Sequence, residues 1–300
     1  MRITLVYNPT AGSEDREGSE LSALLESAGH AVTPASVKGD RWKELLADPG
    51  ELVVVAGGDG TVRKVFRELA TADVDVTILP VGSANNIARA LGLAEADIER
   101  LTRGLADAEL RPFDLGRATA PWGETVVVES LGVGLFAEVL ARADEDDGNE
   151  EDKVDSGLRL LADVLRGLPQ RDWELKVDDS DLSGSYLAVE VMNIRETGPN
   201  LPLAPAAEPG DGYFDVVRVR EADRQPLLDY VDARLRREPA EIPLLPMDRG
   251  REVSMRASSR VSIRADDELW RHDAPADDGD RVRVEAGVLG VRVRVPRVRR

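Results

Sequence analysis

Apolar residues in the first third of the chain alternate between two rhythms. Short runs with little polar interruption at Arg2–Tyr7, Ala31–Ala35, Glu51–Ala56 and Val76–Pro80 predict strands buried on both faces. Between them, Ser19–Ala28 sets Leu21, Leu24, Leu25 and Ala28 on one helical face. Arg41–Ala47, Thr61–Ala70 and a helical region from Asn85–Leu91 on to about Ala108 predict further helices. Apolar strands alternating with helices predict a doubly wound, mostly parallel α/β sheet.

Beyond Phe113 strands follow one another with fewer helices, at Thr125–Leu131, Trp173–Val177, Leu182–Asn193, Tyr213–Arg220, Arg251–Arg256, Val261–Ala265, Arg281–Glu285 and Gly290–Val295. Several alternate apolar with charged residues, as in Val-Arg-Val-Arg-Val at 291–295, the period of an antiparallel sheet with one wet face. Ser156–Leu168 and Gln225–Arg236 predict two amphipathic helices, and the acidic run Asp144–Asp155 and the proline-rich stretch Glu196–Asp211 predict loops. The expectation is an α/β domain at 1–115 followed by a β-rich, antiparallel two-layer sandwich at 116–300, with room for the extreme C-terminus to pack back on the first domain.

Composition narrows the chemistry. The 300 residues contain no cysteine and two histidines, His30 and His272, which excludes disulfides, thiolate catalysis and thiolate metal sites and leaves little for a histidine-built one. A formal charge of −18 argues against a nucleic-acid partner. Basic residues are nearly all arginine, and that bias with a large acidic excess predicts a protein suited to high salt. The N-terminus reads as a strand, and the apolar stretches are short or interrupted by Glu129 and Glu138, so the chain predicts a cytoplasmic protein with no transmembrane segment and at most peripheral membrane contact.

The strongest local signal is Gly57-Gly58-Asp59-Gly60-Thr61, between a valine-rich strand and a helix. Such a turn exposes successive backbone N–H groups at a helix start and lets a polyphosphate approach closely. It lacks the lysine of a P-loop. Gly132-Val-Gly134-Leu-Phe-Ala137 fits the loose dinucleotide fingerprint, but it lies in the β-type region with no suitable acidic residue at a later strand end, and reads as a structural turn. At Leu79-Pro-Val-Gly82-Ser83-Ala84-Asn85-Asn86-Ile87-Ala88-Arg89 a strand gives way to a small polar loop and a second helix start suited to phosphate or ribose.

These segments, with Asn8-Pro9-Thr10-Ala11-Gly12 after the first strand, resemble the diacylglycerol kinase catalytic domain family, bacterial-type soluble lipid kinases related to sphingosine and ceramide kinases. The likeness continues in order through Phe113-Asp114, Leu131-Gly132, Asn193, Gly198, Pro205-Ala206, Asp211-Gly212-Tyr213-Phe214-Asp215 and Asp266-Asp267-Glu268. The resemblance implies that Asn8, Gly57, Gly58, Asp59, Gly60, Thr61, Ser83 and Asn85 surround ATP in a cleft against the second domain. It implies that Asp114 holds a catalytic Mg²⁺, that Asp211 with the backbone oxygen of Tyr213 matches a structural Mg²⁺ site, and that Asp266 and Glu268 fall on an Asp-Gly-Glu motif whose aspartate is the general base. The chain departs from the family at Asn86, where aspartate is common, at Glu129, where asparagine is usual, and at Asp267, which replaces glycine.

Phosphoryl transfer needs a phosphate cradle, oxygen ligands for Mg²⁺ and a carboxylate to take the acceptor's proton, and neither cysteine nor histidine. The expectation is an ATP- and Mg²⁺-dependent kinase of diacylglycerol or a similar lipid at the membrane surface, with room for a homodimer. The alternatives are a kinase of another hydroxyl acceptor, such as a sphingoid base, an ether lipid or NAD, and a nucleotide-binding regulator without catalysis.

Overall fold

The computed structural model describes residues 1–9, 18–143, 153–257, 262–270 and 281–297. Thr10, Ala11 and Gly12 of the first motif, most of the acidic run from 144, Val261 and His272 lie outside them. The chain forms two compact units: Met1–Leu115 with Pro209–Asp211 and the residues from Leu289 onward, and Gly116–Glu208 with Gly212–Val288.

The first unit holds β1 (Arg2–Tyr7), α1 (Gly18–Ser27), β2 (Ala31–Ser36), α2 (Arg41–Leu46), β3 (Leu52–Gly57), α3 (Asp59–Glu68), β4 (Asp75–Pro80), α4 (Asn86–Ala90), α5 (Ile98–Arg103) and the start of β5 (Glu109–Ala120). The second unit adds β6 (Gly123–Val127), β7 (Ser130–Gly134), α6 (Leu135–Ala143), α7 (Lys153–Gly167), β8 (Arg171–Val177), β9 (Ser180–Asp181), β10 (Gly184–Tyr186) and β11 (Ala188–Met192). It continues with β12 (Phe214–Val219), α8 (Arg224–Leu235), β13 (Met247–Gly250), β14 (Glu252–Ala257), β15 (Ile263–Ala265), β16 (Glu268–Leu269) and β17 (Val282–Val295), whose last residues belong to the first unit.

In the first unit β2, β1, β3 and β4 lie side by side, all parallel. The end of β17 adds a fifth parallel strand, with Arg292 opposite Asp75 and Val293 opposite Val76. Every residue of β3 is buried, as the unbroken valine run requires. Asp75, a buried acid at the start of β4, is neutralised by two guanidinium groups from β17, Arg292 Nε at 2.9 Å and Arg294 Nε at 2.8 Å. Phe66 on α3 meets Phe113 edge-on, ring centres 5.2 Å apart.

Among the described residues of the second unit, β6 to β16 pair antiparallel with their neighbours. One sheet runs β10-β8-β14 and on to the first half of β17, and the other runs β13-β12-β11-β7-β15-β16. Alternation along β11 sends Val189 and Val191 into the apolar core shared with Trp173, Leu175, Val253 and Val284 of the first sheet, and Ala188 and Met192 to the opposite face. There α6, α7 and α8 cover the second sheet, adding a helical layer to the expected two-sheet sandwich.

Other boundaries shift for identifiable reasons. Thr125–Leu131 is two strands, β6 and β7, interrupted at Val128–Glu129. Arg281–Glu285 and Gly290–Val295 are one 14-residue strand, because Gly287 continues the chain at φ +64° where a break is expected from its sequence. Gly132, read as part of a turn, lies inside β7, where a Cβ would overlap the Glu190 carboxylate. The helical region after Asn85 divides at Gly92, φ +74°, into α4 and α5. Helix α7 begins at Lys153, so Asp155 is helical.

Candidate nucleotide-phosphate site

Strand β3 ends at Gly57 and α3 begins two residues later, with Gly58 as an extended N-cap that supplies no side chain. The Gly58 carbonyl accepts the N–H of Thr61 at 3.0 Å and of Val62 at 3.1 Å, closing the first turn. Gly58, Asp59 and Gly60 are half-buried, so this uncapped helix start faces an accessible surface with the positive end of its dipole. Thr61 is buried, and its Cβ would lie 2.6 Å from a Cβ placed on Gly57, so the glycine there serves packing inside the turn. Gly58 faces Gly82 of the β4–α4 loop, with 3.1 Å between a Cβ placed on Gly58 and the Gly82 Cα.

Asp59 joins the two loops. Its carboxylate accepts the backbone N–H of Asn86 at 3.0 Å and of Ile87 at 2.9 Å, capping α4 from the first turn of α3. The second helix start is therefore already occupied by a carboxylate, which leaves the α3 start as the one open to an anion. Asn85, in the left-handed conformation at φ 53°, closes its own loop: Oδ1 accepts from Gly82 N at 3.1 Å and Nδ2 donates to Gly82 O at 2.7 Å. Ser83 is exposed beside it. Asn8 follows the end of β1 and donates its backbone N–H to Ala56 O at 3.0 Å, next to the end of β3. Gly57, Gly58, Asp59, Gly60, Thr61, Asn8, Ser83 and Asn85 thus all lie at the C-terminal ends of the parallel strands β1, β3 and β4 of one unit or in the turns and the helix start that follow them, the end of such a sheet where ligands bind.

The expected metal-binding residues lie on other segments. Asp114 is half-buried on β5 and Asp211 lies in the short 209–211 segment of the first unit, whereas Tyr213 belongs to the second. Among the described residues no three of His, Asp and Glu come together as a metal cage. Mg²⁺ does not need one, since it is commonly held by one or two carboxylates together with substrate phosphates and water. The ring of Tyr213 carries the Arg249 and Arg251 guanidinium groups at 4.2 and 4.6 Å from its centre.

Asp266 and Glu268 sit on the β15–β16 hairpin, where Ala265 pairs with Glu268. Asp266 is 2% exposed. Its Oδ1 accepts backbone N–H groups from Glu129 at 2.8 Å, Ser130 at 3.1 Å and Val128 at 3.2 Å, which is what interrupts β6 and β7. Asp266 also has φ 55°, while Asp267 is not in the left-handed region. The turn therefore makes its conformational demand one residue before the position that is glycine in the resembling family, and an aspartate at 267 fits without strain. Asp267 and Glu268 are exposed.

Sequence reasoning missed a buried polar group behind this hairpin. Arg264 donates to Glu190 Oε2 at 2.6 Å, Ser130 Oγ at 2.9 Å, Thr197 Oγ1 at 3.0 Å and the Asp266 carbonyl at 2.6 Å. Glu190 is fully buried, and desolvation pushes its carboxyl up from the usual range, against the pull of Arg264. The available signal was Gly132 inside an apolar run: its missing Cβ makes the space that Glu190 fills.

A parallel α/β unit with a glycine-rich turn between strand and helix, followed by an antiparallel unit, is the organisation of a group of phosphotransferases, and the comparisons specify which. Residues 2–118 match the diacylglycerol kinase catalytic domain, and residues 130–292 match the YegS C-terminal NAD kinase beta sandwich-like domain. A diacylglycerol kinase of Bacillus subtilis is 26% identical over 282 residues, 89% of each chain. A probable YegS-like lipid kinase of Pseudomonas aeruginosa is 32% identical over 71% of this chain and 70% of its own. The structure of a putative diacylglycerol kinase from Bacillus anthracis shares the fold with a TM-score of 0.73 at 19% identity, covering 98% of this chain and 96% of that one. An NAD kinase from Archaeoglobus fulgidus, solved in complex with ATP, matches more distantly, with a TM-score of 0.57 at 15% identity over 99% of this chain and 94% of that one. The chain belongs to the diacylglycerol kinase and YegS-like lipid kinase family. Among the described residues no helix is long and apolar enough to cross a membrane.

Proposed function

We propose that this protein transfers the γ-phosphoryl group of ATP, with Mg²⁺, to the hydroxyl of diacylglycerol or a similar lipid, working at a membrane surface. The observation that carries the reading is the uncapped α3 start at Gly58-Asp59-Gly60, with the neighbouring helix start held shut by Asp59. Backbone N–H groups there bind and orient the phosphates, while Asn8, Ser83 and Asn85 border the nucleotide. Asp114 would hold Mg²⁺, which would supply positive charge to offset that of the phosphates, and Asp211 with the Tyr213 backbone would hold a second, structural ion.

The two carboxylates expected to be catalytic divide by accessibility. Asp266, buried and holding three backbone N–H groups, positions the hairpin; Glu268, exposed on β16, is the better acceptor for the proton of the lipid hydroxyl. Incubation with labelled ATP, Mg²⁺ and extracted lipids tests the reading. A labelled phospholipid supports it, and ATP binding with no labelled lipid at any salt concentration overturns it in favour of a regulator.

A further inference from the structure

Backbone and side chain of Asp266 are both held. Its carboxylate accepts the N–H groups of Val128, Glu129 and Ser130, its own N–H donates to the Ser130 carbonyl at 2.8 Å, and its carbonyl accepts from Arg264 Nη1 at 2.6 Å. A non-glycine residue at φ 55° keeps that conformation only where its surroundings over-determine it. Arg264 is the member of this arrangement that reaches furthest. Its Nη2 donates to Ser130 Oγ, Thr197 Oγ1 and Glu190 Oε2. One guanidinium thus ties the turn of the β15–β16 hairpin to the first residue of β7 and to the turn at 197–201, which paired N–H···O bonds between Thr197 and Leu201 close.

Stability does not account for the Arg264–Glu190 pair. Glu190 alternates with Ala188 and Met192 toward the helix-covered face of its sheet, where the Phe136 ring lies 6.0 Å from the Arg264 guanidinium. Glu190 Oε1 and Arg264 Nε are buried with no hydrogen-bond partner among the described residues. For a buried ion pair so incompletely bonded, desolvation offsets the mutual attraction, and apolar side chains of similar volume hold a structure as well or better. What apolar side chains cannot do is bind the Asp266 carbonyl and the Thr197 hydroxyl. Glu268 depends on that turn: β16 is two residues long and forms the edge of its sheet, so Glu268 takes its place from the residues just before it.

We infer that Arg264, anchored by Glu190, is a positioning residue for phosphoryl transfer, fixing the 266–267 turn so that the Glu268 carboxylate meets the acceptor hydroxyl. The inference rests on the lipid-kinase reading and deepens it by naming what holds the proton acceptor in place. Three variants separate positioning from packing. Arg264→Met leaves Glu190 buried without its cation and should lower both melting temperature and rate. Adding Glu190→Met removes the second charge and should recover the wild-type melting temperature. The rate should not return: kcat for lipid phosphorylation should stay roughly 100-fold down, the effect of an ångström-scale misplacement, with KM for ATP unchanged. Arg264→Lys keeps a cation for Glu190 but has no fork with which to serve the Asp266 carbonyl as well, so it should fold and lose ~10-fold or more in kcat. Amide hydrogen exchange, which needs no substrate, should show the Asp266 and Trp270 N–H groups losing their protection in the double variant while β12 keeps its own. A double variant that regains its rate together with its melting temperature, Arg264→Lys at the wild-type kcat, or unaltered exchange at Asp266 would overturn the inference. Should the double variant stay below the wild-type melting temperature, the Arg264→Lys rate decides. If the unmodified protein phosphorylates no lipid, the kinase reading fails, and the protection at Asp266 still decides whether Arg264 fixes the turn.

Discussion

Gly58 and Gly82 lie back to back, so that a Cβ on Gly82 would overlap the Cα of Gly58. The two loops of the candidate nucleotide-phosphate site are thus a single packed unit, and the two glycines answer to each other first. Gly82→Ala is expected to cost about 1–3 kcal/mol of stability, the range of overpacking, and to lose nucleotide binding, because backbone must move. Gly58→Ala meets the Gly82 Cα at 3.1 Å and needs only a small shift, so its fold should survive with a smaller loss. Thermal melts and ATP titration of the two variants should give that order.

Asp59 caps α4 across the site, so Asp59→Ala should act through geometry as well as charge. Loss of a cap of this kind costs ~0.5–2 kcal/mol. It should also free the Asn86 and Ile87 N–H groups to compete for phosphate, with turnover falling further than stability. A variant with unchanged melting temperature and unchanged rate would remove Asp59 from the site.

Asp266→Asn keeps a residue that tolerates φ 55° and removes the charge. A hydrogen bond to a charged group is worth ~1.5–3 kcal/mol, so the melting temperature should fall clearly. Glu268→Gln should instead leave stability unchanged and lower the rate ~10²–10⁴-fold, the contribution of a general base. Asp267→Gly should be nearly silent in both. If Asp266→Asn abolishes activity at full stability, the proton acceptor is Asp266 and Glu268 is not.

Glu190 supplies a pH signature. Its carboxyl titrates above the unfolded value because burial disfavours the anion. Its contribution is complete below the unfolded pKa and is lost as pH rises through the folded one. Glu190→Gln should remove that downward part of the stability–pH curve, seen as a wild-type-minus-variant difference that shrinks as pH is raised. Equal slopes for the two proteins would show that Arg264 keeps Glu190 ionised throughout.

The charge of −18 predicts that melting temperature and activity rise with KCl toward 1 M, where the screening length is ~3 Å. A flat or falling melting temperature would remove the salt-adapted reading.

What could be read from the sequence follows from how local each cause is. The valine run of β3 and the glycines after it declare strand, turn and helix start within ten residues, and the structure places them so. The break at Val128–Glu129 could not be read locally, because its cause is a carboxylate more than 130 residues later. The same distance hid the task of Asp266, whose motif position is visible while its burial is not. Glu190 looked like one more acid in an acidic chain, and only the pairing of β7 with β11 brings Gly132 opposite it.

Strand β17 has a consequence for how the chain is made. The fifth strand of the first unit and both guanidinium partners of the buried Asp75 come from residues after 288. During synthesis the first 115 residues leave the ribosome with one edge of their sheet bare and a buried acid unpaired. That unit must wait, partly formed, through more than half of translation, and a nonsense mutation near the end of the gene would damage the beginning of the protein.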